Sequence, residues 1–360
     1  MALDLPDFPW DALVPHAERA RAHPGGMIDL SVGSPVDPTP AVIREALAAA
    51  GDAPGYPQTA GTPELREAIV EWFRRRRGVE LGVANVLPTI GSKEFVAGLP
   101  LLLGLGAGDT IVHPRVAYPS YALGAAVVGA AALAEDDSAR WPESTRLVWL
   151  NSPGNPDGRV LSVAELRAAV ARARELDAVI ASDECYAELN WDDDRPTTSI
   201  LDPAVIDGSR HNILAVCSLS KQSNLAGYRA GFVGGCSQVL GRVLAVRKHL
   251  GLMVPTPVQA AMVAALGDEA HVDAQREVYR ARRGVLREAF EASGYRIDHS
   301  EAGLYLWATK DAPAWETVGG LAERGILAVP GTFYGDETHV RIALTASDEK
   351  IAEAARRIAA

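Results

Sequence analysis

Lysine is scarce in this 360-residue chain: of 35 basic residues only Lys93, Lys221, Lys248, Lys310 and Lys350 are lysines. Chemistry that needs an amine of adjustable basicity therefore has a short list of candidates. Cysteine is scarcer, and Cys185, Cys217 and Cys236 form an odd set without metal-type spacing. That excludes a disulfide framework and fits a reduced, cytoplasmic setting. Positive charge is in deficit, with a formal net charge of −11. A nucleic acid is thereby excluded as the main partner, because a phosphate backbone needs a basic face. Met1 to Leu13 lacks a basic start followed by an apolar run and carries Pro6 and Pro9, so no secretory signal is expected. One long uncharged run, Val116 to Ala134, raises a membrane question. It is rich in Ala and Gly with Pro119 near its start, and reads as a buried helix of an α/β protein, so no membrane partner is expected.

What is present is a large apolar fraction, 48% of residues. At this length that predicts one large domain with a smaller one, and excludes a disordered or fibrous chain. Short apolar runs alternate with helical patterns through the middle, which predicts an α/β fold with a mainly parallel sheet covered by helices. The predicted strands are Thr110–His113, Arg146–Leu150, Ala178–Ser182, Asn212–Val216 and Ala230–Gly234. Thr39-Pro40 and Thr62-Pro63 each predict a capped helix start with proline in the first turn. Ser162 with Glu165 forms a capping box ahead of Leu166–Leu176. Gly104 to Gly108 precedes a strand rather than joining strand to helix, so it reads as a turn and not a dinucleotide loop. Beyond Gly267–Gln275 the pattern changes to a long charged helix, Gln275–Ser293, short strands at Gly303–Ala308 and His339–Leu344, and a closing helix, Asp348–Ile358. This predicts a large domain over 39–270, and a smaller α+β domain from 271–360 joined by the N-terminal arm, 1–38.

Three successive strands end in reactive side chains. Arg146–Leu150 runs into Asn151-Ser152-Pro153-Gly154-Asn155-Pro156-Asp157-Gly158, Ala178–Ser182 into Asp183-Glu184-Cys185-Tyr186, and the next into Ser218-Leu219-Ser220-Lys221. Ligands of open α/β sheets bind beyond the carboxyl ends of the strands. Alone, each piece reads as a turn, a helix cap or a solvated loop. Together they deliver an amide, a carboxylate and an amine to one edge. Pyridoxal phosphate chemistry uses that set: a lysine amine joins the cofactor aldehyde and a carboxylate keeps the ring nitrogen protonated. Helix-start N–H groups, hydroxyls and arginine hold the phosphate.

The segment Ser218-Leu219-Ser220-Lys221-Gln222-Ser223-Asn224-Leu225-Ala226-Gly227-Tyr228-Arg229 resembles the lysine segment of the class I/II, fold-type I aminotransferases, and the resemblance extends from about Ile28 to Ile358. It implies pyridoxal 5'-phosphate as cofactor, and Lys221 as the lysine that binds it and moves the substrate α-proton. It implies that Ser218, Ser220 and Arg229 hold the phosphate with the backbone of Ser92 and Lys93, and that Asp183 faces the ring nitrogen. By the same resemblance Tyr186 and Asn155 share the ring oxygen, and Tyr118 stacks on the ring. Arg341 would grip the substrate carboxylate, Gly33 would lie in a closing loop, and Tyr56 would reach the phosphate of a neighbouring subunit in a homodimer. Asp157 in place of the family's threonine and Val116 in place of a proline are departures; Asp157 adds a negative charge at the site edge if it faces inward. Lys248 to Pro257 with Gln259-Ala260-Ala261 is similar to N-succinyldiaminopimelate aminotransferases, which implies 2-oxoglutarate as amino acceptor. Histidinol-phosphate, aspartate or aromatic aminotransferases and pyridoxal-dependent carbon–sulfur lyases share the main features and remain open alternatives.

Overall fold

A computed structural model describes residues 9–193 and 196–360; residues 1–8, with much of the segment used to read the N-terminus, lie outside the described range. Seven strands form the main sheet, in the order Val86–Ile90, Ala230–Gly235, Ile213–Ser218, Val179–Asp183, Thr145–Asn151, Thr110–His113 and Ala131–Ala134. Only Ala230–Gly235 runs against its two neighbours; the other pairings are parallel. The inner parallel strands read as continuous apolar runs because both faces are covered. Val148, Ile180, Ile213 and Ala215 face one core with Trp72, Phe73 and Phe232. Their alternates Leu147, Trp149, Val179, Ala181, Leu214 and Val216 face another with Phe95 and Tyr121.

A second, antiparallel sheet orders Val329–Pro330, His339–Ala343, Tyr305–Thr309 and Arg296–Ile297. The long helix Ala270–Ala292 and the closing helix Asp348–Ala359 pack on each other beside it. The N-terminal segment joins this part of the molecule: Ile28–Asp29 pairs in parallel with Ile326–Leu327. Ala343 N also donates to Leu30 O at 2.8 Å.

Three local expectations are corrected. Val116–Ala134 is not one helix but a helix, Ser120–Val128, followed by the edge strand Ala131–Ala134. Gly129 takes a left-handed conformation there, which its lack of Cβ permits, and ends the helix after nine residues. Among the described residues no helix is long and apolar enough to cross a membrane. Thr39 does not cap the helix Ala41–Ala49; its hydroxyl donates to Asn224 O at 3.0 Å, and Pro40 takes the cap position without a side-chain bond. The charged helix starts at Ala270 rather than Gln275, because its first turn carries His271 inward. Thr62 does cap the helix Pro63–Arg77, accepting from Leu65 N, and Ser162 with Glu165 makes a complete capping box.

Candidate active site

The parallel register places Asn151 opposite Asp183, and Asp183 opposite Val216, two residues before Ser218. The three strand ends therefore open on one edge. Asn151 organises the turn that follows it: its Nδ2 donates to Asp183 O at 2.9 Å and to Pro153 O, and its Oδ1 accepts from Asn155 N at 2.8 Å. Asn155 is thereby turned inward, and its Oδ1 accepts from Arg341 Nη1 at 3.0 Å. Asp157 does not enter the site. Its Oδ1 accepts from Arg159 N and folds back against Gly154, whose missing Cβ leaves room for it.

Asp183 is fully buried, and burial pushes its carboxyl above the usual range. Cys185 N and the Tyr121 hydroxyl, at 3.2 and 3.1 Å, pull in the opposite direction. Among the described residues no basic side chain pairs with it. Such a carboxylate suits a cationic ring nitrogen. Lys221 follows Ser218 in the short turn Leu219–Gln222, and its amine donates to Gly33 O. Burial lowers that amine from 10.5 to about 8, with Arg341 and Arg229 adding to the effect. Ser218 Oγ donates to Ser220 Oγ at 3.0 Å.

Opposite these hydroxyls begins the helix Gly91–Leu102, which no side chain caps. Its first-turn N–H groups, at Ser92 and Lys93, remain available to an anion. Gly91 has a left-handed backbone, and a Cβ there would lie 2.4 Å from Arg229 Nη2. The glycine thus lets the Arg229 guanidinium lie against the helix start. The Lys93 side chain is exposed, 5.9 Å from the ring centre of half-buried Tyr118. Hydroxyls, open N–H groups and a guanidinium form a set that fits a phosphate, and buried Asp183 with Lys221 fits the ring and aldehyde of pyridoxal phosphate.

Arg341 sits at 3% exposure on the second sheet. Its Nη2 donates to Ser31 O at 2.6 Å, and its guanidinium lies 4.1 Å from the Tyr305 ring and 5.0 Å from the Tyr334 ring. Tyr305 bonds the Tyr186 hydroxyl at 3.2 Å and lies under Gly33, where a Cβ would meet its hydroxyl at 2.1 Å. Tyr121, Tyr305 and Tyr334 are site residues that sequence reading did not single out. Tyr121 lies three residues beyond Tyr118 in a motif already in hand, and Tyr305 two residues before Trp307 on the same face of a fully buried strand. Tyr56 stands apart: it is 98% exposed and touches none of this cluster.

Residues 25–358 match the aminotransferase class I and II family. The chain belongs to the class I and II aminotransferases. This is a pyridoxal phosphate-dependent family acting on amino acids and 2-oxo acids. The aminotransferase is 56% identical, over 99% of both chains, to the 4-dedimethylamino-4-oxo-anhydrotetracycline transaminase OxyQ of Streptomyces rimosus. It is 52% identical to a probable aminotransferase of Mycobacterium tuberculosis, over 99% of this chain and 86% of the relative. A probable N-succinyldiaminopimelate aminotransferase of Thermus thermophilus superposes with a TM-score of 0.88 at 30% identity, over 98% of this chain and 99% of that one. These matches extend the family assignment across both sheets.

Proposed function

We propose that this aminotransferase exchanges an amino group between N-succinyl-LL-2,6-diaminopimelate and 2-oxoglutarate, a step of lysine and diaminopimelate biosynthesis. The convergence of Lys221, Asp183 and Arg341 supports transamination of a substrate bearing an α-carboxylate. The segment Lys248 to Pro257 and the Thermus thermophilus neighbour support the choice of substrate. When bound, pyridoxal phosphate supplies an aldehyde and an electron-accepting ring. Ser218, Ser220, Arg229, and the N–H groups of Ser92 and Lys93 hold its phosphate. Asp183, oriented by Tyr121, faces the ring nitrogen. Tyr186 and Asn155 flank the ring oxygen, and Tyr118 covers the ring face. Lys221 Nζ takes the proton from the substrate Cα, and its depressed basicity leaves a usable neutral fraction near pH 8. Arg341 grips the carboxylate through both Nη atoms, replacing the carbonyl of Ser31. The Gly33 segment closes over the bound substrate and excludes water.

The working molecule in this reading is a cytoplasmic homodimer, with Tyr56 of each protomer completing the phosphate site of its partner. The large domain spans 39–270 and the small domain 1–38 with 271–360. The identity to OxyQ favours a second reading, an amine-for-ketone exchange on a 4-oxo-anhydrotetracycline-type ring. A donor and acceptor panel separates the two. Succinyldiaminopimelate with 2-oxoglutarate turns over faster than histidinol phosphate, aspartate or aromatic donors on the first reading. Turnover confined to the polycyclic ketone with an amino donor overturns it, and pyruvate release without any oxo acid points to a lyase.

A further inference from the structure

The helix Ala270–Ala292 carries a polar stripe inside the protein. His271, Gln275, Tyr279 and Arg282 recur at helical spacing and share one face. Gln275, Tyr279 and Arg282 are buried, although helix faces that pack inward are ordinarily apolar. Each group on the stripe reaches one of two irregular segments.

The first is the loop after Lys221. Ser223, fully buried, bonds His271 Nε2 at 2.8 Å, and His271 Nδ1 lies 3.2 Å from Asp268 Oδ2. Asn224 has a left-handed backbone and donates from Nδ2 to Gln275 Oε1 at 2.8 Å. Its Oδ1 accepts from the Tyr279 hydroxyl at 3.5 Å. The second is the segment after Gly33. Asp37 Oδ2 accepts from Gln275 Nε2 at 3.0 Å. Both Asp37 oxygens accept from Arg282, at 2.6 and 2.7 Å. Arg282 Nε also holds Asp348 at 2.7 Å. The two segments touch directly as well, through Thr39 Oγ1 and Asn224 O.

Neither segment is paired in a sheet, so no backbone ladder fixes its position. Buried polar groups hold only as a satisfied set, and a gap at one member loosens the rest. Gln275 is the member that faces both ways, accepting from the lysine loop and donating to the Gly33–Thr39 segment.

We infer that Gln275 is a positioning residue for transamination. It fixes the loop bearing Lys221 and the segment bearing Gly33 to one helix face, so that the amine and the covering segment keep a common register. This inference needs only transamination through Lys221 and is independent of which amino acid is the substrate.

The experiment compares Gln275→Ala, Asn224→Ala and the double variant in the cofactor-loaded enzyme, with Gln275→Glu as a change of similar size and shape. Each single variant lowers kcat/KM for its best amino donor by about tenfold. The double variant loses less than the product of the two single losses, since the Asn224–Gln275 bond is common to both. Backbone hydrogen exchange rises together at residues 31–39 and 219–225 and stays unchanged in the core of the helix. Gln275→Glu keeps the acceptor for Asn224 but trades the donor to Asp37 for a facing carboxylate, so it also lowers the rate and raises exchange at residues 31–39. Losses that multiply in the double variant overturn the inference. So does exchange that rises at neither segment, or along the whole helix in step with a falling Tm. If Gln275→Ala does not fold, Gln275→Glu and Asn224→Ala decide by the same exchange pattern.

Discussion

At the scale of single residues the site is shaped by desolvation and by close contact. Lys221 illustrates the first. Its amine is near 8 in the folded protein against an ordinary 10.5. Above pH 10.5 neither folded nor unfolded chain binds the proton, and burial carries no protonation cost. As pH falls from 10.5 to about 8, the unfolded chain protonates and the folded one does not, so stability declines; below 8 the cost is constant. Replacing Lys221 by Met removes that cost. The cofactor-free variant is therefore more stable than cofactor-free wild type by about 3 kcal/mol at pH 7. The gain shrinks toward zero as pH rises past 8 to 10.5. Denaturant titrations at pH 7 and pH 10.5 read both values, while turnover is abolished at every pH. Gly33 illustrates close contact. Its backbone packs against Tyr305, and a methyl there would meet the phenol oxygen at 2.1 Å and Cζ at 2.8 Å. Gly33→Ala displaces the covering segment and lowers kcat/KM by about a hundredfold. Tyr305→Phe in the same chain relieves the oxygen contact but not the ring contact, and restores only part of the rate. Full restoration, or no effect of Gly33→Ala, would show that the segment does not close on Tyr305.

At the scale of elements, chemistry sits where strands and helices begin and end. The open start of Gly91–Leu102 and the Arg229 guanidinium share the space left by one absent Cβ. Gly91→Ala moves Arg229 and weakens pyridoxal phosphate binding roughly tenfold to a hundredfold, as loss of a charge-assisted contact would. Equilibrium dialysis of the stripped protein measures it, and unchanged affinity would remove Arg229 from the phosphate site. By contrast Ser162→Ala breaks an exposed capping box whose side chains bond each other and Arg159 and none of the proposed site residues. It lowers stability by about 1 kcal/mol and leaves kcat unaltered. The strand ends at Asn151, Asp183 and Ser218 were legible in the sequence because buried parallel strands read as unbroken apolar runs closed by polar residues. The reversed direction of Ala230–Gly235 was not, since an apolar run carries no sign of direction. The division of Val116–Ala134 was hidden for a related reason: an uncharged run of alanines is compatible with a helix and with a short edge strand alike. Tyr121 on Asp183 and Gln275 on Asn224 are contacts between residues 62 and 51 positions apart, set by packing and not by any local pattern.

At the scale of the whole molecule, the proposed catalytic set is divided between two sheets. Asp183 ends a strand of the seven-stranded one, with Lys221 and Asn155 in the turns after two of its other strands, and Arg341 and Tyr305 stand on the four-stranded one. The N-terminal segment bridges them, with Ser31 on Arg341 and Gly33 on Lys221. Tyr56 is the one proposed site residue that this arrangement leaves outside, fully in solvent at 98% exposure. A tyrosine so exposed in one chain either has no role or acts on another copy. Mixed subunits distinguish these outcomes. Tyr56→Phe is expected to hold pyridoxal phosphate weakly, wild-type affinity in that variant meaning that Tyr56 has no role, and Lys221→Ala to be inactive. If Tyr56 serves the partner's site, a mixed dimer holds one site with both defects and one with neither. An equal mixture allowed to re-form dimers then recovers about one quarter of wild-type activity at limiting cofactor, because half the dimers are mixed and each has one intact site. If Tyr56 serves its own chain, the intact lysine is always accompanied by phenylalanine. The mixture then shows only the activity of its Tyr56→Phe fraction, and the shared site is excluded.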